Sequence, residues 1–280
     1  MTTANRLNEN LGRLAGSEVS FRDEAVQAIT KKNADGSIDF QAFYGRRNIS
    51  LNINSSTLSY NVWHAIKDGY LPGNDITVTV APTVTIGSTG AAIAALSVPA
   101  DISAQDTVTI INQGTLRGAG GNGGAAGGAG VPGGTALRAD RPITLLNTGT
   151  LIGGGGGGGG GNPGSTSPGS PKVGPSPTSG GGGGGGAGLN PGPASPGTAG
   201  TLLTGGAGGG PGGGSASGGG AGGPIGTAGT ASSGGAGGLA GRAIQGTSNV
   251  TLAILGQPNI TVANSNLVSL PSSPIIGTLI

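Results

Sequence analysis

Apolar and polar residues alternate with a period of two in three short stretches of this chain. These are Ile76-Thr-Val-Thr-Val80, Val84-Thr-Ile86 and Thr107-Val-Thr-Ile-Ile111. Alternation places the apolar side chains on one face, and Gly, Pro and Ser bound each stretch, so the pattern predicts short strands with one buried face. Nearer the start the spacing changes. Leu7, Leu11 and Leu14 recur at helical intervals and predict a short amphipathic helix. Ser20, followed by Asp23 and Glu24, opens a second helix carrying Val26 and Ile29, and Asp35-Gly36 reads as a turn.

The third strand belongs to a repeat. Thr109-Ile-Ile-Asn-Gln-Gly-Thr-Leu116 aligns position for position with Thr144-Leu-Leu-Asn-Thr-Gly-Thr-Leu151, and a glycine-rich stretch follows each copy. A degenerate third copy starts at Gly241. There Gly-Arg-Ala-Ile-Gln leads to Val250-Thr-Leu, as Gly134-Thr-Ala-Leu-Arg leads to Ile143-Thr-Leu. The unit is a strand, a turn at Asn-x-Gly and a glycine stretch.

Composition now enters, because glycine changes the picture. Of 66 glycines in 280 residues, 55 lie in 118–246, with unbroken runs over 153–161 and 180–186. Such a segment has no side chains for an ordinary core and loses much backbone entropy on ordering. Its regular alternation with β-forming residues argues against plain disorder. In the polyproline II conformation a chain has three residues per turn and N–H and C=O groups pointing sideways. Buried, those groups need partners. Glycine helices lack Cβ and can approach closely enough to bond to one another, giving a core made of backbone. The expected fold is mostly irregular, a polyglycine II sandwich with short β-strands and a small helical N-terminal attachment region. The expected divisions are 1–70 for attachment, 71–117 for a β-rich connector, 118–246 for the glycine-rich polyglycine II domain and 247–280 for a β-rich closing segment.

Charge and chemistry exclude several classes. There is no Cys and one His, and every Asp and Glu lies at or before Asp140, so the second half lacks the usual bases, ligands and nucleophiles. No enzyme, metal site or cofactor is expected. The net charge is +2, with Lys and Arg scattered and no basic stripe, which argues against nucleic acid. No secretion signal is expected from the first residues, and no apolar run is long enough to span a membrane. The G-x-G-x-x-G matches follow from glycine abundance; none opens a helix with a suitably placed acid. His64 reads as a surface or packed residue of the head rather than a ligand.

All seven aromatic residues fall at or before Tyr70, with most of the charges, so the N-terminal region holds the materials of a specific protein interface. The attachment candidates are Leu7, Leu11, Leu14, Phe43, Tyr44, Arg46 and Trp63, with Trp63 and Tyr60 also read as local core.

The chain resembles the distal tail-fibre adhesins of tailed bacteriophages. The resemblance is carried by Phe40-x-x-Phe43-Tyr-Gly-Arg46, by Tyr60-Asn-Val-Trp63 followed by Ile76-Thr-Val-Thr-Val80 and Thr85-Ile-Gly87, and by the repeated Asn-x-Gly-Thr-Leu unit with its glycine run. It implies a tip protein of the virion tail, made in the host cytoplasm, that recognises a host receptor through loops between polyglycine II helices. The implied partners are other tail or fibre proteins, a host outer-membrane protein or surface glycan, and further copies of the chain. The loops 162–179 and 189–204 are then the receptor candidates, with Pro163, Ser165, Ser167, Lys172, Val173, Pro175, Leu189, Asn190, Leu202 and Leu203. Two other readings stay open: a purely structural tail component, and a non-phage glycine-rich surface protein.

Overall fold

The structure is a computed structural model that describes residues 48–68, 70, 72–163, 181–188, 191–192, 197–211, 216–252, 260–261, 275–276 and 278–279. The helices expected around Leu7 and after Ser20 lie outside these residues.

The described chain is built from strands that return to the same three sheets. A first turn of chain contributes β1 (Asn48–Ile53), β2 (Thr57–Leu58) and β3 (Tyr60–Asn61), closed by one helical turn, α1 (Val62–Ile66). The second contributes β4 (Asp75–Val80), β5 (Thr85–Gly87) and β6 (Leu96–Val98). The third gives β7 (Thr107–Asn112), β8 (Thr115–Arg117) and β9 (Leu137–Ala139). The fourth gives β10 (Ile143–Asn147), β11 (Thr150–Ile152) and β12 (Arg242–Gln245). Then follow β13 (Val250–Leu252), β14 (Ile260–Thr261), β15 (Ile275–Ile276) and β16 (Thr278–Leu279). One sheet runs β1-β4-β7-β10-β13-β14, a second β15-β11-β8-β5-β2 and a third β16-β12-β9-β6-β3. Every pairing is parallel except β13 with β14. Each turn of chain therefore lays one strand on each of three sides, which makes a three-sided β-solenoid.

Burial follows the strand period of two. β4 and β7 alternate outward and inward residues along their length. Register stacks the inward residues in columns: Leu51, Val78, Ile110, Leu145 and Leu252 on the first side, Ile86, Leu116 and Leu151 on the second, and Tyr60, Leu96, Leu137 and Ile244 on the third. From Val78 onward the first column is fully buried. One column becomes polar: the Asn112 side-chain amide donates to Asn147 Oδ1 at 2.7 Å, at the corner that opens the Asn-x-Gly turn.

The sequence repeat is this register. Thr109 pairs with Thr144 and Thr115 with Thr150, and the degenerate third copy pairs Leu137 with Ile244 and Ile143 with Val250. The N-terminal region expected to be helical is corrected from Asn48 onward: three strands and a single helical turn stand there, and they form the first turn of the solenoid. Asn48-Ile-Ser-Leu-Asn-Ile53 alternates with period two, which drives it into the sheet against β4. Strands from either side of positions 70, 117 and 246 lie in the same sheets.

The two longest excursions among the described strands leave from one corner, between the second and third sides. There the chain passes from Leu58 to Tyr60 through Ser59 alone, then from Gly87 to Leu96, from Arg117 to Leu137, and from Ile152 to Arg242. Ser59 takes the left-handed conformation (φ 51°) to make its tight corner, and its hydroxyl accepts from Thr89 N at 2.9 Å. The two largest excursions carry the glycine.

Candidate functional site

Among the described residues the glycine segments have no regular helix or strand, yet much of their backbone is paired. In 153–161 the N–H groups of Gly154, Gly157 and Gly160 donate to Gly134, Val131 and Gly128. Those of Gly155, Gly158 and Gly161 donate to Ala187, Gly184 and Gly181, and those of Gly156 and Gly159 to Thr227 and Thr230. The carbonyls of the same run accept from three further segments: from Gly121, Gly124 and Gly127, from Gly220, Gly223 and Gly226, and from Gly238 and Gly241. The direction of bonding repeats every three residues, and six segments surround the run. The whole run is buried. A Cβ built on any of its glycines would stand under 3.0 Å from backbone of another segment, so only glycine fits.

These bonds fix two ends. Gly153, Gly226 and Gly241 sit at the base beside β11 and β12; the Gly226 N–H bonds to the Gly153 carbonyl at 2.9 Å. Asn162, Ser217 and Ser232 sit at the far end. There the Asn162 amide N–H donates to Ser217 Oγ at 2.7 Å, Asn162 Nδ2 to the Ser233 carbonyl at 2.9 Å, and Ser233 Oγ to Ser217 Oγ at 2.5 Å. The Ser232 hydroxyl caps the end of the central run by donating to the Gly160 carbonyl at 2.5 Å. A turn at 125–128, with Gly127 at φ 75°, closes beside Pro163 at the same end. Among the described residues the far end is thus a platform of hydroxyls, amides and alanines.

The expected site residues divide between the two ends. Pro163 is exposed at the far end, where the chain leaves the layers at 163 and re-enters at 181. Ser165, Ser167, Lys172, Val173, Pro175, Leu189 and Asn190 lie outside the described residues. Leu202 and Leu203 are exposed (46% and 56%), but they turn at the base. The Thr201 carbonyl there accepts from Gly188, and Ile225 N–H donates to the Leu203 carbonyl. The two candidate loops therefore do not share a surface through these leucines. Ser217, Ser232, Ser233 and the 125–128 turn were not foreseen; the Ser-Ser step between glycine stretches is a turn signal that marked one of them.

Of the attachment candidates, Leu7, Leu11, Leu14, Phe43, Tyr44 and Arg46 lie outside the described residues. Trp63 is half-buried in α1, edge-on to Tyr70 with ring centroids 5.0 Å apart, and both pack against the solenoid core. His64 is exposed on α1, its N–H donating to the Asn61 side chain that caps the helix.

Behind Tyr70 lies a buried polar corner. The Tyr70 hydroxyl donates to Asp106, whose other carboxylate oxygen accepts from the N–H groups of Gly73 and Asn74 at 2.7 and 2.6 Å. The buried Arg141 guanidinium donates to the carbonyls of Ser103 and Asp106. This network ties the entries of β4, β7 and β10 together. Burial, with the Asp106 hydrogen bond second, holds the Tyr70 pKa above its ordinary value, and burial alone raises that of Tyr60. Burial also lowers that of Arg117, on the outer face of β8. Among the described residues no group of three or more His, Cys, Asp or Glu could hold a metal ion. No helix among them is long and apolar enough to cross a membrane.

No curated protein sequence matches the chain. Among solved structures, it is similar to a chain in the crystal structure of the gp37-gp38 adhesin tip complex of the bacteriophage S16 long tail fiber. The identity is 27% and the TM-score 0.52, over 75% of this chain and 80% of that one. The sequence profile of the family described as phage tail fibre adhesin Gp38 matches residues 48–261, which contain all four solenoid turns and every glycine segment. By that match the chain belongs to the phage tail fibre adhesin Gp38 family, as a component of the virion tail.

Proposed function

We propose that this adhesin forms the receptor-contacting tip of its fibre and meets the host through the loops at the far end of its glycine layers. The layers are a polyglycine II sandwich: parallel and antiparallel threefold helices packed hexagonally through backbone hydrogen bonds. The observation that carries the reading is the run 153–161, bonded at a three-residue period to six neighbouring segments. A scaffold packed through backbone fixes where loops emerge and makes no demand on their sequence. That suits a surface that must change with its host. The far-end loops include 162–179, with Pro163, Ser165, Ser167, Lys172, Val173 and Pro175, and its prolines lower the ordering cost on binding. The partner at this end is a host outer-membrane protein or surface glycan. Weak single contacts gain from several fibres engaging at once.

The opposite task falls to the N-terminal side. The first solenoid turn leaves β1, β2 and β3 as the outer strands of their sheets, and sheet edges pair readily with a partner. Residues before 48, with Leu7, Leu11, Leu14, Phe43, Tyr44 and Arg46, join them in attaching the adhesin to another fibre protein, as gp38 of the S16 fibre is found with gp37. Binding rather than catalysis is the role.

The test replaces 162–179 by an unrelated Ser/Gly loop of equal length. Adsorption to the natural host should be lost while the adhesin still joins particles. Unchanged adsorption and host range would move the contact elsewhere.

A further inference from the structure

Most side chains within the glycine segments point outward. Ala228 and Ala231 are exposed on one segment, and Ala236 and Leu239 on another, where Ala240 is half-buried beside them. Leu239 is 70% exposed, the highest of the large apolar residues described. These positions also carry open backbone. The N–H groups of Ala228 and Ala231 and the Ala231 carbonyl make no hydrogen bond among the described residues. Neither do the N–H groups of Ala236, Gly237, Leu239 and Ala240. Inside the layers, the same groups on glycine recruit another glycine segment at a spacing that tolerates no Cβ. An outer segment of pure glycine would thus be an edge ready to accept one more helix, as an open sheet edge accepts a strand.

We infer that Ala228, Ala231, Ala236, Leu239 and Ala240 are guards that stop the glycine layers from adding a glycine run of a second copy of this chain. The inference rests on the polyglycine II reading. A Cβ at each outward position holds an incoming backbone beyond the spacing that the inner bonds require. The side chain at 239 matters by its bulk, and its apolar character is incidental. This accounts for a leucine standing in solvent within a segment whose inward positions, Gly235, Gly238 and Gly241, each lie against neighbouring backbone.

The experiment uses the full chain and sedimentation velocity over a concentration series, with thermal melting to establish folding. One variant opens the first edge (Ala228→Gly with Ala231→Gly) and another the second (Ala236→Gly, Leu239→Gly and Ala240→Gly). Leu239→Ser keeps the Cβ. Wild type and Leu239→Ser should keep one mass at all concentrations, and each opened variant should shift to a dimer or larger as concentration rises. Folded variants that sediment as wild type would overturn the inference. So would equal association by Leu239→Ser or wild type, or loss of folding in both opened variants, which would mean that the side chains serve the layers from within. Should one variant fail to fold, the other decides. Failure of the polyglycine II reading shows separately, as a Gly157→Val protein that melts like wild type.

Discussion

Substitution of Gly157 by alanine tests the backbone core at its centre. Its Cβ would lie under 3.0 Å from the Asn122 carbonyl and from Gly123 N, atoms of a neighbouring backbone that cannot rotate away. Segment 121–124 must retreat. It is held to the central run by Gly121 N–H on the Gly155 carbonyl and Gly124 N–H on the Gly158 carbonyl, both at 2.8 Å. Retreat leaves these buried groups unpaired, at about 1 to 3 kcal/mol each. The stiffer unfolded chain returns about 0.4 to 1 kcal/mol. The net loss is on the order of 1 to 5 kcal/mol. At about 2 to 4 °C per kcal/mol for a chain of this size, Tm should fall by about 2 to 20 °C. Gly210→Ala is the control: it is exposed, no atom lies within 4 Å of the added Cβ, and its φ is not positive. It should melt within about a degree of wild type or slightly above it. A Gly157→Ala protein as stable as Gly210→Ala, by calorimetry, would refute the reasoning.

Other outcomes follow from the same structure. Asp106→Ala removes the acceptor for Tyr70 and for the N–H groups of Gly73 and Asn74, and should cost about 3 kcal/mol or more by denaturant unfolding. Because the folded-state pKa of Tyr70 is raised, its contribution to stability is complete below the ordinary tyrosine value of 10.0 and is lost as pH rises above it; Tyr70→Phe should flatten that part of a pH–stability curve. Leu203→Ser, at the base, should leave adsorption and assembly unchanged; a loss of adsorption would bring the base into the contact surface. A chain beginning at residue 48 should still bind cells but fail to join particles, as scored by its content in purified virions.

The strands and their repeat were legible where side chains recur. Thr109–Leu116 against Thr144–Leu151 and Leu137 against Ile244 were sequence alignments that turned out to be strand register. The first solenoid turn was overlooked because it has no Asn-x-Gly turn and no glycine excursion, although Asn48–Ile53 alternates as cleanly as β4. The order of the glycine segments was hidden for a physical reason. In an unbroken glycine run every three-residue frame is equivalent, so nothing in 153–161 says which N–H faces which neighbour. That information comes from the corner where the excursions begin and from interruptions such as Asn122, Val131 and Leu239. The loop 162–179 was visible as a Pro/Ser stretch between runs. The serines that build the far-end platform, Ser217 and Ser233, come from distant segments, and their meeting depends on the number of residues in each pass.

The most direct test uses the absence of cysteine from the chain. Single cysteines replace Ala125, on the far-end turn, or Leu203, at the base, and each is coupled to a bulky maleimide polymer on assembled particles. The account predicts that a polymer at 125 abolishes adsorption to the host and that the same polymer at 203 leaves it intact. Adsorption that survives at 125 and is lost at 203 would contradict it.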